Sequence, residues 1–443
     1  MRTRFLNVSK NFRIRSNGGY DSRSDGLRVA LLSEVFEKNM GYLPKLLSKY
    51  LARLGADVHV VATDLPPYHQ MDHKELEGTY GGFSDGSAIS AGSIEAFQGF
   101  TLHVLRHKEV LGYMQMAGLT AKLGAIRPDI VQTTVAIGWI PLQAAYAKPL
   151  LGYKLFTGNH HHASVFPLAN KRTSPWDYEL LRCRIMRTFP GWLVSQATEK
   201  CYAITSDCAD VAACFFGVPR RKIDVCPLGV DTELFRPISF EKDREDRLRL
   251  RQRLGFCESD IVCIYTGRFS ESKNPLLLAK AVAHLVGMGE PFRGLFVGNG
   301  VQAQAIQSCA GCVTHPFVPV QELGNFFRAS EIGVWPTQES TSMLDAAACG
   351  LPIVANDTMT APGRLEGNGV AYKLDDMEDL VRVLLELRDA ETRKRLGSFG
   401  AQKMARDFSW ESIARRRLND YEAALRSRKR QQTAAISKEE SLG

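Results

Sequence analysis

Short apolar runs alternate with amphipathic stretches through the first part of the chain. Residues 27–32 are apolar apart from Arg28, which is typical of a strand buried on both faces of a parallel sheet. From Leu43 to Leu54 the apolar residues recur at i, i+3, i+4, i+7, i+8 and i+11, so they predict one face of a helix. Residues 58–62 predict the next strand, and the three segments together predict a right-handed βαβ unit.

Apolar runs at intervals predict further strands of the same sheet, at 102–105, 130–133, 154–157 and 203–205. Residues 64–95 interrupt this pattern, because they are rich in Gly, Ser, Asp and His and show little periodicity. A loop of that length is uncommon inside a compact domain, so we predict a mobile segment that faces a substrate.

A second series of strands and helices begins at 261–265. Asn274 and Pro275 are residue types that begin a helix. Strands are then predicted at 295–297, 332–335 and 353–355. Ligands bind such doubly wound sheets outside the carboxyl ends of the strands, so two of them predict a cleft between domains. The fold class is therefore α/β, with two Rossmann-like domains.

The stretch 227–237 joins the two series. We predict a basic extension, a first domain, a second domain, a C-terminal helix and a disordered tail, at 1–25, 26–228, 229–408, 409–427 and 428–443. The net charge is +8, and bases concentrate near both ends of the chain. Basic ends can contact anionic lipid head groups or nucleic acid, or they can be solvated tails.

The composition is that of an ordinary soluble protein, with 44% hydrophobic and 23% charged residues among 443. We expect no membrane-spanning helix, because no apolar run reaches about 18 residues, and no secretion signal. Ten cysteines are scattered along the chain, which favours reduced thiols, and the single pair Cys309 and Cys312 is weak evidence for zinc or redox chemistry. These features predict a cytoplasmic protein.

Two cations follow the first strand of the second series, in Thr266-Gly267-Arg268-Phe269-Ser270-Glu271-Ser272-Lys273. Arg268 and Lys273 would lie at the carboxyl end of that strand, where a ligand is expected. Arginine offers a planar fork of donors and lysine a compact charge, so the pair suits a diphosphate. A pair of solvated surface bases would show the same spacing.

Two glycines follow the next strand, in Val297-Gly298-Asn299-Gly300. Gly298 and Gly300 would let the backbone approach a ligand closely. Any turn between a strand and a helix can carry glycines, so this motif is weak by itself.

A helix of small residues is predicted to begin near Ser342, after a strand that ends at Trp335. Its N-terminus would offer unpaired N–H groups and the positive end of the helix dipole, which suit a phosphate. Two acids flank this end, Glu339 just before the helix and Asp345 one turn inside it. Alternatively, Ser340 caps the helix and the acids only complement its dipole.

Three adjacent histidines, His160, His161 and His162, follow the predicted strand 154–157. Their position at the end of a strand places them on the ligand side of the first sheet. Histidines in such a cluster can bind a metal ion. A solvent-exposed polar turn would have the same sequence.

Taken together, these motifs resemble glycosyltransferase family 4, whose members have the GT-B fold. The order of the motifs is Thr-Gly-Arg-Phe with Lys-Asn-Pro, then Val-Gly-Asn-Gly, then Glu-Ser-Thr-Ser-Met-Leu-Asp-Ala-Ala-Ala-Cys-Gly-Leu-Pro. The stretch 225–237 is similar to that family's interdomain linker, and 313–318 to its base-binding strand and loop. Residues 408–410 resemble the crossover to a terminal helix that packs back on the first domain. The likeness covers 200–425 well and the first half more loosely.

The resemblance implies roles for residues of the second domain, which would bind the nucleotide sugar. Arg268 and Lys273 would bind the donor diphosphate, and Glu339 would contact the donor sugar. Asp345 stands where the family has a Glu that holds the ribose hydroxyls. Other donor contacts are implied for Gly298, Gly300, Val318, Ser340, Thr341, Ser342 and Met343.

The resemblance also implies roles in the first domain, which would take the acceptor. Gly41 matches a glycine loop that approaches the diphosphate from the opposite side of the cleft. The family often has a catalytic histidine after the strand that precedes His160, and we choose His160 narrowly over His161. His161 and His162 would then lie on the acceptor side.

The sequence departs from the family pattern around the two acids. Five residues lie between Glu339 and Asp345, two fewer than in the family. An alignment from Asp345 without a gap would place Thr337 at the first acid position. Which residue replaces that first acid stays open, and an Asp in place of Glu shortens the ribose contact.

The resemblance implies a retaining glycosyltransferase. It would move a sugar from a nucleotide-diphosphate donor to a hydroxyl of a glycan or lipid-linked acceptor, in cell-surface polysaccharide or glycolipid biosynthesis. We expect no metal, no other cofactor and no nucleic-acid partner, and the basic ends predict peripheral contact with an anionic membrane surface at its cytoplasmic face. The alternatives are a GT-B phosphorylase or epimerase, which would use the same cations, and a catalytically silent GT-B binding scaffold.

Overall fold

A computed structural model of the chain describes residues 26–69, 89–163, 166–170, 174, 176–337, 339–359 and 362–440. The predicted basic extension at 1–25 lies outside the described residues. Most of the predicted substrate-facing loop, 70–88, also lies outside them, and so do 441–443 at the end of the predicted tail.

The described residues of the first half of the chain form ten strands: β1 Arg28–Leu32, β2 Asp57–Thr63, β3 Ile94–Phe97, β4 Phe100–Leu105, β5 His107–Val110, β6 Tyr113–Met116, β7 Ile130–Thr133, β8 Lys154–Asn159, β9 Thr198–Ala203 and β10 Ile223–Val225. Eight of them form one sheet in the order β10-β9-β8-β7-β1-β2-β4-β3. All neighbours are parallel except β3 and β4, while β5 and β6 form a separate hairpin. The predicted βαβ unit at β1 and β2 is confirmed.

Helices cover both faces of this sheet, at Leu43–Arg53, Leu119–Ile126, Trp139–Leu151, Tyr178–Cys183, Phe189–Ala197 and Ser206–Phe215. The helix Leu43–Arg53 has Pro44 in its first turn and buries Leu46, Leu47 and Leu51, as its apolar pattern predicts. These side chains join one face of β1 and β2 in a shared core. The helices Leu119–Ile126 and Trp139–Leu151 form a second core on the other face.

In the second half, the part of the chain that the structure describes forms six parallel strands: β11 Ile261–Thr266, β12 Phe292–Val297, β13 Cys312–His315, β14 Ile332–Trp335, β15 Ile353–Asn356 and β16 Gly369–Tyr372. Their order is β13-β12-β11-β14-β15-β16. The helices of this domain are Glu241–Arg253, Pro275–Gly287, Ala303–Gln307, Val320–Arg328, Ser342–Ala348, Met377–Glu386 and Ala390–Asp407. Asn274 does precede a helix, but its backbone is left-handed (φ 48°) and its side chain makes no capping bond.

The chain crosses between the two domains twice, and the two crossings are bonded to each other. Val230 N donates to Phe408 O at 2.8 Å, and Trp410 N donates to Val230 O at 3.1 Å. The last helix, Trp410–Glu440, then returns to the first domain. Trp410 and Tyr421 are buried in the core that contains β1 and β2. The predicted crossover helix and the two facing Rossmann-like domains are therefore confirmed.

Three details differ from the sequence expectations. The strand predicted near 203–205 is β9, which ends at Ala203, because Thr205 begins the next helix by accepting a hydrogen bond from Cys208 N. The β5–β6 hairpin was not predicted. The last helix extends to Glu440, so a disordered tail was wrong for 428–440. That stretch is poor in apolar residues but rich in Lys, Arg, Gln, Glu and Ala, which favour helix.

Candidate active site

A cavity of about 620 Å³ lies between the two domains, and both domains line it. Residues that follow β1, β7 and β8 form the first-domain wall, among them Gly41 and His160. Thr341 and Asp345, at the start of the helix Ser342–Ala348, form part of the opposite wall. Four residues that the sequence analysis placed at the donor or the reacting sugar are thus gathered around one space.

Gly41 lies where the loop after β1 meets the second domain. A Cβ atom at this position would lie 3.3 Å from Leu46 Cδ1 and 3.4 Å from Val320 Cγ2 of the second domain. Nearby, Val320 N donates to Asn39 O at 3.4 Å across the cleft. The absence of a side chain at Gly41 therefore lets the loop after β1 pack against the second domain.

Arg268 and Lys273 follow β11, as predicted, and their charges interact. Burial lowers the pKa of Lys273, and the positive charge of Arg268 lowers it further. Burial raises the pKa of Tyr42 on the first-domain wall, and the positive charge of Arg268 opposes that shift. Neither Arg268 nor Lys273 is among the described residues that line the cavity. An anion bound between the two cations would relieve their repulsion.

Gly298 and Gly300 serve the packing of two turns. Their φ values are 153° and 145°, which side chains rarely adopt. A Cβ atom at Gly298 would lie 1.9 Å from Gly267 O, and one at Gly300 would lie 2.9 Å from Phe269 O. Both glycines let the turn after β12 press against the turn that carries Arg268, so their direct neighbours are backbone atoms of that turn.

Glu339 is held in an ion pair with Arg364. Glu339 Oε2 accepts from Arg364 Nη1 at 3.0 Å, and the two side chains are only 13% and 6% exposed. Burial lowers the pKa of Arg364, whereas the carboxylates of Glu339 and Asp207 act to raise it. Asp207 belongs to the first domain, so the guanidinium interacts with an acid of each domain.

Asp345 faces the cavity from one turn inside its helix. Burial, and after it the negative charge of Asp231, raise the pKa of Asp345 well above its ordinary value. Asp231 lies in the joint between the domains, where it accepts from Tyr50 Oη and Lys49 Nζ, each at 2.7 Å. A carboxyl group that has lost its water is suited to accept hydrogen bonds from the hydroxyls of a ligand.

The other residues near Asp345 differ in what they can offer a ligand. Ser340 Oγ lies 2.8 Å from Ser342 Oγ, and Thr341 occupies the cap position without a side-chain capping bond. Ser340 Oγ also accepts from Ser342 N at 3.4 Å, so the alternative in which Ser340 caps the helix stays open. Met343 is buried in the core of the second domain, and Val318 packs against that core, so only their backbones can face a ligand.

His160 extends from the end of β8 into the cavity wall. Burial, and then the positive charge of Arg417, lower the pKa of His160 to about 4. The imidazole is therefore neutral at physiological pH, and it can donate one hydrogen bond and accept another.

The next two histidines turn toward protein partners. His161 Nδ1 lies 3.1 Å from Asn159 Oδ1, and its ring packs edge-on against Phe216 with 5.2 Å between centroids. His162 Nδ1 lies 3.1 Å from Asp207 Oδ2. Among these three histidines, all of them described, His160 alone lines the cavity.

One group of described side chains has the spacing of metal ligands, namely His162, Asp207 and Cys208, whose atoms lie within 4.8 Å of one another. Asp207 Oδ2 already accepts from Ala163 N at 2.9 Å, and its other oxygen accepts from Thr205 Oγ. Burial raises the pKa of the Cys208 thiol to about 11. A protonated thiol and an engaged carboxylate describe a hydrogen-bond cluster at the start of the helix Ser206–Phe215.

Sequence reasoning missed Arg364 and Asp207, which have no motif of their own, and it did not single out Asp231 within the linker. Arg364 is 25 residues from its partner Glu339, and Asp231 is 181 residues from Tyr50. The one available signal was the position of Asp231 in the linker motif, which resembles the family.

Two family models match the chain. The model described as Glycosyltransferase Family 4 matches residues 45–234, and the model described as Glycosyl transferases group 1 matches residues 260–389. The matches fall on the first and second domains respectively, on either side of the joint.

Curated relatives include two proteins named D-inositol 3-phosphate glycosyltransferase. The one from Geodermatophilus obscurus is 31% identical over 248 residues, which is 51% of this chain and 53% of the relative. The one from Segniliparus rotundus is 29% identical over 229 residues, which is 48% and 49% of the two chains. The chain thus spans about half the length of the curated relatives it matches.

Solved structures match nearly the whole chain at low identity. Sucrose-phosphate synthase from Thermosynechococcus elongatus has a TM-score of 0.61 and 16% identity, covering 90% of this chain and 100% of its own. Anabaena HepE in complex with UDP-glucose has a TM-score of 0.60 and 16% identity, with the same coverage. These likenesses show the fold, which is GT-B.

Proposed function

The chain belongs to glycosyltransferase family 4, and on that premise we propose that it transfers a sugar from a nucleoside diphosphate to an acceptor hydroxyl. The observation that carries this proposal is the pair of interacting cations, Arg268 and Lys273, in the segment between β11 and the helix Pro275–Gly287, together with the charge of Arg268 that acts on Tyr42 of the cavity wall. Both cations are available to the two phosphates of a donor, which would sit below the loop that contains Gly41.

The proposed transfer retains the configuration of the anomeric carbon. The acceptor oxygen bonds to that carbon on the face from which the diphosphate leaves, while the bond from the carbon to the phosphate oxygen breaks. The acceptor proton passes to the leaving phosphate, so no carboxylate nucleophile is needed. Arg268 and Lys273 stabilise the negative charge that develops on the diphosphate.

In this proposal, three further residues contact the ribose and the sugar of the donor. Asp345 accepts hydrogen bonds from the ribose hydroxyls. Glu339, fixed by Arg364, contacts the transferred sugar from the second domain. His160 is neutral and lines the opposite wall, so it can hydrogen-bond the same sugar and hold it against the acceptor.

The comparisons support a narrower choice of substrates. HepE was solved with UDP-glucose, so we propose a uridine diphosphate sugar as donor. The relatives are named for an inositol phosphate acceptor, which makes a polyol phosphate one acceptor class to test. A glycan or lipid-linked hydroxyl is the other, and it would place the enzyme in cell-surface polysaccharide or glycolipid biosynthesis at the cytoplasmic face of a membrane.

The decisive experiment is a thermal-stability screen against UDP-, GDP- and ADP-sugars. A ligand at about 100 times its Kd stabilises a protein by about 2.7 kcal/mol, which the melting curve resolves. Transfer from the donor found in this way is then followed by NMR, and the anomer of the product tests retention. Turnover that survives EDTA would agree with the expected lack of a metal requirement.

The same assays separate the alternatives. Turnover that requires inorganic phosphate indicates a phosphorylase, and isomerisation of the donor without acceptor indicates an epimerase. If none of the nucleotide sugars raises the melting temperature, the proposal fails and a binding scaffold is favoured.

A further inference from the structure

An apolar helical surface of the first domain is exposed to solvent. The helix Tyr178–Cys183, a π-helical turn at Arg184–Thr188 and the helix Phe189–Ala197 are continuous. Large apolar side chains recur along them at intervals of three and four residues, as on one face of a helix. We define the apolar face by Trp176, Tyr178, Leu181, Ile185, Phe189 and Trp192.

The exposure of this face is high. Trp176 is 91% exposed and Tyr178 is 74% exposed, and the other four side chains are between 46% and 59% exposed. The opposite side of the same helical segment is buried, with Cys183, Gly191 and Val194 against the domain. Contiguous exposed apolar surface of this kind marks an interaction site, and Trp and Tyr are the residues that favour the boundary between lipid and water.

Bases lie within the helical segment and at its C-terminal end. Arg182 and Arg184 are exposed in the middle of the segment, on either side of the buried Cys183, and Glu179 is the exposed acid nearby. At the C-terminal end, Lys222 Nζ donates to Ser195 O and Thr198 O at 2.7 Å, which brings the exposed Arg221 beside the end of the helix. Apolar side chains flanked by arginine and lysine are complementary to an anionic bilayer.

One arginine of the segment connects the apolar face to the active site. Arg187 Nε donates to Tyr113 Oη at 3.1 Å, and the guanidinium lies 5.1 Å from the centre of the Phe166 ring. Burial lowers the pKa of His161, and the charge of Arg187 lowers it further. The helical segment that carries the apolar face therefore lies near the loop of His160, His161 and His162, which we call the histidine loop. The neighbouring His160 lines the cavity.

We propose that the apolar face docks the first domain on an anionic lipid bilayer. None of the described helices is long and apolar enough to cross a membrane, so the contact is interfacial. Docking in this position sets the histidine loop, on the acceptor side of the cleft, close to the lipid surface. In that respect the inference deepens the proposed function, on which it rests, because it favours an acceptor carried by a lipid.

Sedimentation with vesicles tests the surface separately from catalysis. The full chain is mixed with vesicles of phosphatidylcholine alone, and with vesicles in which about a third of the lipid is phosphatidylglycerol. The triple variant Trp176→Ser/Tyr178→Ser/Phe189→Ser removes apolar contacts, and Arg182→Glu/Arg184→Glu reverses two charges. Met288→Ser/Val301→Ser is the matched control, because both residues are exposed and lie on the second domain.

The wild-type chain should bind the anionic vesicles, and the triple variant should lose about tenfold or more in affinity. The double charge variant should lose at least about fivefold per arginine, and the control should bind like the wild type. Stabilisation by a nucleotide sugar, measured on the same variants without vesicles, shows that they are folded. That measurement also keeps a failure of the proposed function distinguishable from a failure of docking.

Three outcomes would overturn the inference. In the first, the wild-type chain does not bind anionic vesicles. In the second, the triple variant binds them as strongly as the wild type. In the third, the chain is a dimer in solution that the triple variant converts to a monomer, since the apolar face would then be an interface between copies of the chain.

Discussion

Removal of Arg364 tests how strongly the buried ion pair stabilises the second domain. Arg364→Leu keeps apolar atoms near the backbone but removes the group that donates to Glu339 at 3.0 Å. The Glu339 side chain is only 13% exposed, so its charge would lose this cation where water solvates it poorly. Loss of one partner from a buried pair costs about 3–5 kcal/mol, and the nearby cleft favours the lower end, about 3 kcal/mol.

The expected effect is measurable by thermal unfolding. For a domain of this size each kcal/mol corresponds to about 2–4 °C, so Arg364→Leu should lower the Tm by roughly 6–12 °C. The double variant Glu339→Gln/Arg364→Leu should melt above the single Arg364 variant, because it also removes the charge that Arg364 pairs in the wild type. Arg244→Leu is the control, since Arg244 forms an exposed pair with Glu241 and its loss should change the Tm by less than about 2 °C.

Turnover separates the structural role of the pair from a catalytic role of Glu339. Glu339→Gln keeps the size of the side chain and an oxygen that Arg364 can reach, so the fold should persist. Turnover should nevertheless fall about 100-fold, while the affinity for UDP, measured by calorimetry, stays within about threefold because that product lacks the sugar. An Arg364→Leu protein that melts like the wild type refutes the stability argument. A Glu339→Gln protein that loses UDP but turns over normally means that the first acid has been misassigned.

Three other predictions concern the two cations Arg268 and Lys273, the acid Asp345, and His160. Arg268→Ala and Lys273→Ala should each lower turnover about 100-fold with the Tm nearly unchanged, and wild-type rates in either variant would remove the diphosphate assignment. Asp345→Asn should weaken UDP binding about tenfold or more, because the ribose remains in that product; an unchanged Kd in calorimetry would contradict the assignment. The pKa of His160 is lowered from 6.5 to about 4, so its contribution to stability is fully present above pH 6.5 and is lost as the pH falls through 4. Turnover should therefore show no inflection near pH 6.5 from His160, and His160→Gln should lower transfer more than donor affinity.

The strands and most helices could be predicted because their signal is local. The apolar runs at 130–133 and 332–335 coincide with β7 and β14, since a strand buried on both faces must be apolar throughout. The hairpin β5–β6 was not predicted, because its residues are mixed in polarity and half exposed. They therefore follow neither the helical period of 3.6 residues nor the strand period of two. The end of the last helix was missed for the opposite reason: low hydrophobicity was taken as disorder, although the residues are good helix formers.

The site could be predicted only as far as its residues belong to motifs. Arg268, Lys273 and Asp345 follow or begin regular elements, and the position of its helix brings Asp345 to the cleft. The partner of Glu339 could not be found in this way, because Arg364 lies 25 residues away in a stretch without periodicity. The orientations of the histidines could not be predicted either. The ring of His161 packs against Phe216 and His162 hydrogen-bonds to Asp207, and these contacts across the sequence keep both rings away from the cavity.

The joint between the domains carries a charge that reaches the donor site. Asp231 lies beside the paired chain crossings, where Val230 N is bonded to Phe408 O. It accepts from Lys49 and Tyr50 of the first domain, and its charge contributes to the raised pKa of Asp345 in the second. A rotation at the joint must change the distances among these groups, because they belong to different rigid elements. If ribose binds at Asp345 as proposed, we expect its binding to be coupled to the angle between the domains through the Asp231 carboxylate.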